Sequence, residues 1–242
     1  MKIIWSGLAD AKYYEYIAKY CLPSWSKLPG AKYIVHDSNL IKDDHLTVVD
    51  WRAVGNYNAP FWKIQKERKK TNNFWRKMQA QVWAMRNLRD CDFLVLFDTD
   101  IEVLDFDNEL FEQELENFKA SGYIWATGRS QSRLHDSGFI VIDVNHPQLD
   151  ELTNHYENIW DSGGIFDLRK SYDGHAVESM FPTYPSYKIM NTDYGKGLHI
   201  YPVGVVHWGS KLPKQLRREW TGETKDLIAK RLSEVTVKTY KN

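Results

Sequence analysis

The chain is poor in the features that assign a protein to a specialised class. It has 2 cysteines in 242 residues, Cys21 and Cys91, without the close spacing of a zinc site or redox motif. That sets aside a disulfide framework and points to a reducing compartment. It has no excess of either charge, with Lys+Arg 32 against Asp+Glu 32, so attraction to a polyanion or a membrane would need a local patch. No apolar run approaches the roughly 18 to 20 residues that cross a bilayer. The opening "MKIIWSGLADAKYY" carries too short an apolar run for a signal peptide. A Walker-type glycine loop, an internal repeat and a low-complexity linker are also missing, and the expectation is one soluble, cytoplasmic domain. Aromatics, by contrast, are plentiful. With 10 Trp and 14 Tyr there are more than a core requires, and flat faces suit sugars and bases.

Hydrophobic patterning gives the order of elements. "KIIW" (2–5), "AKYIVHDS" (31–38) and "LTVVDW" (46–51) have the β-branched or apolar centres and polar ends of strands. "AKYYEYIAKYCLPSW" (11–25) has helical spacing and is expected to stop near Pro23. In "NFWRKMQAQVWAMRNLR" (73–89), Phe74, Met78, Val82, Met85 and Leu88 recur as on one helix face, with Asn72 or Asn73 as the expected cap. Further strands are expected in "GYIWATGR" (122–129) and "SGFIVIDV" (137–144), and a basic helical tail from Pro213. Alternation of this kind predicts an α/β fold with a mainly parallel, mixed central sheet flanked by helices.

The stretch "FLVLFDTDIEVL" (93–104) raises a chemical question. An unbroken apolar strand ends in two acids, Asp98 and Asp100, that repel each other. A solvated turn is one answer. The other is a hard divalent cation, Mg²⁺ or Mn²⁺, held between them and a bound phosphate. Strand ends of open α/β sheets are where ligands gather. "YPVGVVHWGSK" (201–211) adds a second apolar strand that runs into His207, a common ligand for transition cations. Gly209 would let backbone approach an anion, and Lys211 could neutralise phosphate. A surface loop with a chance histidine is the alternative there.

With these elements in place, the chain resembles the GT-A, Rossmann-like glycosyltransferases, and most closely their retaining, glycogenin-like and galactosyltransferase-like branches. The resemblance rests on "WRKMQAQVWAMRNLRDCDFLVLFDTDIEVL", "LHDSGFIVIDVNHP" and "VVHWGSK" and spans roughly residues 1–211. It implies a nucleotide-binding half (1–105), a donor-sugar and acceptor half (106–211) and a tail (212–242). It further implies that Asp98, Asp100 and His207 hold Mn²⁺ or Mg²⁺ against the diphosphate of a nucleotide-sugar, a UDP-sugar first. Ser6 and Tyr13 or Tyr14 would line the nucleoside pocket, Lys77 would face the diphosphate or donor sugar, and Lys211 would steady the leaving phosphate. "DSG" at 136–138 replaces the usual "NSG", so the donor-sugar contact would come from Asp136. The His loop is shorter than the glycogenin-like pattern. Asp173, with Glu178 as alternative, falls where such enzymes carry an acid near the acceptor, although a turn before Gly174 explains it equally well.

Two basic stretches bear on the acceptor. "NAPFWKIQKERKKTNNFWRK" (58–77) interleaves Phe61, Trp62, Phe74 and Trp75 with seven Lys and Arg, and "SKLPKQLRREW" (210–220) follows the His loop. Basic residues between aromatics suit a nucleic-acid strand, such as phage DNA with hydroxymethylated bases in an infected bacterium. A solvated charged face, or a glycan acceptor stacked on the aromatics, is the alternative. A metal-dependent nucleotidyltransferase or phosphoesterase, and a non-enzymatic sugar- or nucleic-acid-binding module, are the competing functional classes.

Overall fold

The computed structural model describes residues 1–38, 40–55, 69–130, 135–195 and 198–208, with backbone alone at 69–70, 129–130, 135–136, 191–195 and 198–200. Ten strands form a continuous sheet in the order β3-β2-β1-β4-β7-β6-β8-β9-β10-β5. The strands are β1 (Ile3–Ala9), β2 (Ala31–His36), β3 (Thr47–Asp50), β4 (Phe93–Phe97), β5 (Ile101–Val103), β6 (Trp125–Ser130), β7 (His135–Asp143), β8 (Tyr187–Gly195), β9 (Leu198–Tyr201) and β10 (Val205–His207). The first seven in that order make a mixed, mostly parallel central sheet, with β7 antiparallel to both β4 and β6. The remaining strands, β9, β10 and β5, continue from β8 entirely antiparallel; hydrophobic patterning predicts the strand into His207 but not this pairing.

β4 shows how the core is laid down. All five of its residues are buried, and alternate side chains go to opposite faces. Phe93, Val95 and Phe97 join Ile3, Trp5, Phe139 and Val141 on one face, under Leu22, Trp25 and the helix α5 (Asn108–Ser121). Leu94 and Leu96 join Ile4, Ile140 and Ile142 on the other. That second face is covered by α4 (Lys69–Asn87) through Met78, Val82 and Met85, and by α6 (Leu149–Asp161) through Leu149, Leu152, Tyr156 and Trp160. No described helix is long and apolar enough to cross a membrane. Both cysteines are buried free thiols.

Two local expectations are corrected. α4 begins at Lys69, so Asn72 and Asn73 lie inside it and cap nothing; its N-terminal extension is polar, which hides it from an apolar periodicity. The helix expected over 11–25 is broken into α1 (Ala11–Tyr13), a π turn over Tyr14–Ala18, α2 (Lys19–Cys21) and a 3₁₀ stretch over Leu22–Lys27. Pro23 sits near the start of that 3₁₀ stretch, where its missing N–H costs no hydrogen bond. The short helix α3 (Trp51–Val54), a 3₁₀ turn over Gly164–Phe166 and α7 (Asp173–Met180) complete the described elements. The basic tail lies outside the described residues.

Candidate metal centre

The two acids stand in the turn that joins β4 to β5. The Asp98 N–H still donates to Gly138 O (2.8 Å), which carries the β4–β7 pairing one residue past the strand, and the Ile101 N–H closes the turn on Asp98 O (3.0 Å). Between them the Thr99 hydroxyl donates to Leu8 O (2.8 Å), which pins the turn to β1. β1 comes close enough only because residue 7 is glycine: a Cβ there would lie 2.7 Å from Phe97 O and 2.9 Å from Thr99 Cγ2. The acids are therefore mounted on the sheet edge rather than on a solvated loop.

His207 reaches them through strand register. β10 pairs antiparallel with β5, and His207 stands opposite Ile101, the residue after Asp100. The Trp208 N–H then donates to Asp100 O (3.1 Å). Gly204 makes the β9–β10 turn possible, with φ +82° and a position where a Cβ would fall 1.7 Å from Asp105 O. The outcome is that His207 Nε2 lies 3.1 Å from Asp100 Oδ1 and 3.6 Å from Asp98 Oδ2. One ligand atom from each of the three residues lies within 4.8 Å of the others.

These residues suit a divalent cation. Asp100 is 2% exposed, and its buried Oδ1 faces the His207 ring at 3.1 Å. Withdrawing a carboxylate from water is costly unless its charge is balanced, and a cation between it, Asp98 and His207 would balance it. Two carboxylates and one imidazole are a donor set for Mn²⁺, Mg²⁺ or a related metal. Electrostatics agree. Burial, partly opposed by the Lys77 charge and reinforced by Asp100, raises the Asp98 carboxyl to about 6. Burial also pushes Asp100 upward, but His207 and a hydrogen bond from Tyr13 hold it below the ordinary range. Burial and the two nearby carboxylates push the Tyr13 phenol well up, so it remains a proton donor.

The trio opens on a cleft of about 540 Å³. Ser6, Tyr13, Lys77 and Asp173 line it beside Asp98, Asp100 and His207, which brings together seven of the residues singled out in the sequence. Tyr14 packs instead toward His36, and Glu178 pairs with His175 (2.8 Å). Asp173 is buried and opens α7, not a solvated turn. The side chain of Asp136 lies outside the described residues, as do Gly209 and Lys211. The basic stretch 210–220 and residues 58–68 lie outside them too. Of the described end of the first stretch, Trp75 is 1% exposed and donates to Asp161. Arg76 lies over Trp51 and near Asp37. Trp75 is thereby withheld from any strand of bases, while Phe74 and Lys77 of the same end line the cleft.

Several lining residues escaped the sequence reading. Asn73 and Gln81 line the cleft with Lys77, at i, i+4 and i+8 on α4. A polar row at helical spacing beside an apolar row was a legible signal. Ser137 lines the cleft as well; it sits inside the "DSG" triplet whose aspartate drew the attention. The chain matches no protein-family model, and no curated protein is significantly similar to it.

Proposed function

We propose that the protein is a metal-dependent glycosyltransferase that uses a nucleotide-sugar. The convergence of Asp98, Asp100 and His207 at the mouth of one cleft carries this reading. A strand-end acid pair completed by a histidine from a distant strand is what the resemblance to the GT-A families requires. The sheet order, with one antiparallel strand inserted after β4, is compatible with it. A bound Mn²⁺ or Mg²⁺ would supply charge to the diphosphate as the glycosyl–phosphate bond breaks. Ser6 and Tyr13 sit where a nucleoside could enter. Asp173 offers a carboxylate that could stabilise positive charge at the anomeric carbon, by the oxocarbenium logic of glycoside cleavage. We further infer a UDP-sugar donor and retention of configuration, both from the resemblance.

The acceptor is a hydroxyl compound. A hydroxymethylated base in DNA is favoured by the basic-aromatic segment 58–77 and the basic run 210–220, and a glycan by the aromatics interleaved in the first of these. Slow donor hydrolysis tests the central reading. Purified protein would be given UDP-, GDP- and ADP-sugars with Mn²⁺, with Mg²⁺ or with EDTA, beside Asp100→Ala. Metal-dependent release of one nucleotide, lost in the variant, is the expected result. Release of phosphate or nucleotide from simple phosphoesters, with every nucleotide-sugar inert, would move the site to phosphoester chemistry.

A further inference from the structure

Lys77 was expected to face the diphosphate or the donor sugar, but its surroundings leave it no free donor. An ammonium has three N–H donors and no acceptor. Lys77 Nζ lies 2.6 Å from Asp98 Oδ1, 2.5 Å from Asp173 Oδ2 and 3.2 Å from Ser137 O. Three acceptors therefore account for three donors. Asp173 is held equally fully: its Oδ2 also accepts from the Ser137 hydroxyl (2.9 Å), and its Oδ1 accepts from the Gly174 N–H (2.9 Å). Asp98 divides its oxygens, with Oδ1 toward Lys77 and Oδ2 toward His207.

We propose that Lys77 is a positioning residue, an internal counter-ion that links the cation site to Asp173 and binds no phosphate. By occupying Asp98 Oδ1 it leaves Oδ2 as that residue's one oxygen for the cation. By holding Asp173 it fixes a further carboxylate beside the cation site. The charges support this arrangement. Around the cation site, Asp98, Asp100 and Asp173 with the one ammonium leave two negative charges, which one divalent ion neutralises. Without Lys77 the same cluster would hold three. The inference rests on the cation-site reading of the previous subsection and not on the identity of the sugar.

The test is Mn²⁺ binding to the protein alone, followed by calorimetry or electron paramagnetic resonance, for wild type, Lys77→Met, Asp173→Asn and the double variant. Lys77→Met is expected to bind Mn²⁺ roughly tenfold more tightly, as removal of a unit positive charge near a divalent ion predicts even at a water-like dielectric. A merely damaged site would bind more weakly. Asp173→Asn, which leaves Lys77 to lean on Asp98 alone, is expected to weaken Mn²⁺ several-fold, and that loss should largely vanish in the Lys77→Met background. UDP binding without metal is expected to be unchanged in Lys77→Met. Unchanged or weaker Mn²⁺ binding in Lys77→Met, or a selective loss of UDP affinity, would overturn the inference and leave the cation site standing. Failure of wild type to bind Mn²⁺ would overturn both. Lys77→Arg, which keeps the charge, guards against a folding defect and should bind Mn²⁺ as wild type does.

Discussion

Two kinds of ion pair in this molecule are alike in distance and opposite in meaning. On the outside, Arg86 pairs with Glu157 at 2.6 Å and Lys2 with Asp90 at 2.6 Å, with Asp90 97% exposed. In the cleft, Lys77 pairs with Asp98 at 2.6 Å, but the groups are largely withdrawn from water and share the space with Asp100, Asp173 and His207. The outer pairs neutralise one charge with one charge and are screened by solvent. The inner cluster carries more acid than base in a place where charge is costly. A fold gains nothing from such an excess unless something arrives to balance it. The contrast is therefore the physical case for a cation, independent of any resemblance.

The largest way to break this contrast is Asp100→Asn. Mn²⁺ affinity should fall by more than about 100-fold, since losses of residues that merely support a metal ligand already reach that range. The melting temperature without metal should change little, because the charge that crowds Asp98 is also the one that His207 and Tyr13 hold. Wild type at 100 times its dissociation constant for Mn²⁺ should gain about 2.7 kcal/mol of stability, and the variant at the same concentration less than about 0.4 kcal/mol. A fall in metal-free stability would show that the carboxylate serves the fold.

A second effect concerns pH. The Asp98 carboxyl is raised from its unfolded value to about 6, so between about pH 4 and pH 6 the folded metal-free protein binds more protons than the unfolded chain. This residue therefore favours folding at low pH, and its contribution is lost as pH rises through about 6. If it titrated alone, the swing would be on the order of 3 kcal/mol. Metal binding has the opposite slope, because the ion must displace that proton, and Mn²⁺ affinity should fall about tenfold per pH unit below about 6. Asp98→Asn should remove the stability swing relative to wild type in thermal melts across that range. A swing of equal size in both proteins would contradict the assignment.

A smaller effect is expected from Tyr13→Phe. It removes the hydroxyl beside Asp100 and leaves the ring, so Mn²⁺ binding should weaken by about fivefold, the scale of one ordinary hydrogen bond. The smallest belongs to the outer pairs. Arg86→Ala should cost less than about 1 kcal/mol in denaturant unfolding and leave Mn²⁺ binding unaltered.

What could be read from the chain follows from how local each signal is. β4 and its acids are contiguous, and a buried run that ends in Asp-x-Asp is visible by eye. His207 was found because it also closes an apolar strand. Its distance from Asp100, however, is set by the β10–β5 register, and antiparallel pairing across about a hundred residues leaves no periodic trace. The same holds for Lys77 and Asp173, which lie 96 positions apart and were each noticed without their contact. The broken helix after β1 illustrates another limit: a π turn and a 3₁₀ turn keep roughly helical spacing of apolar residues, so periodicity does not reveal them. The polar row Asn73, Lys77 and Gln81 was readable and was masked by the stronger apolar row beside it.

The most direct measurement is anomalous diffraction from a crystal soaked in MnCl₂, collected near the manganese edge. The account predicts one strong peak bounded by Asp98 Oδ2, Asp100 Oδ1 and His207 Nε2, with Lys77 still on Asp98 Oδ1. A crystal with no peak in the cleft, or with manganese held by other residues, would contradict it.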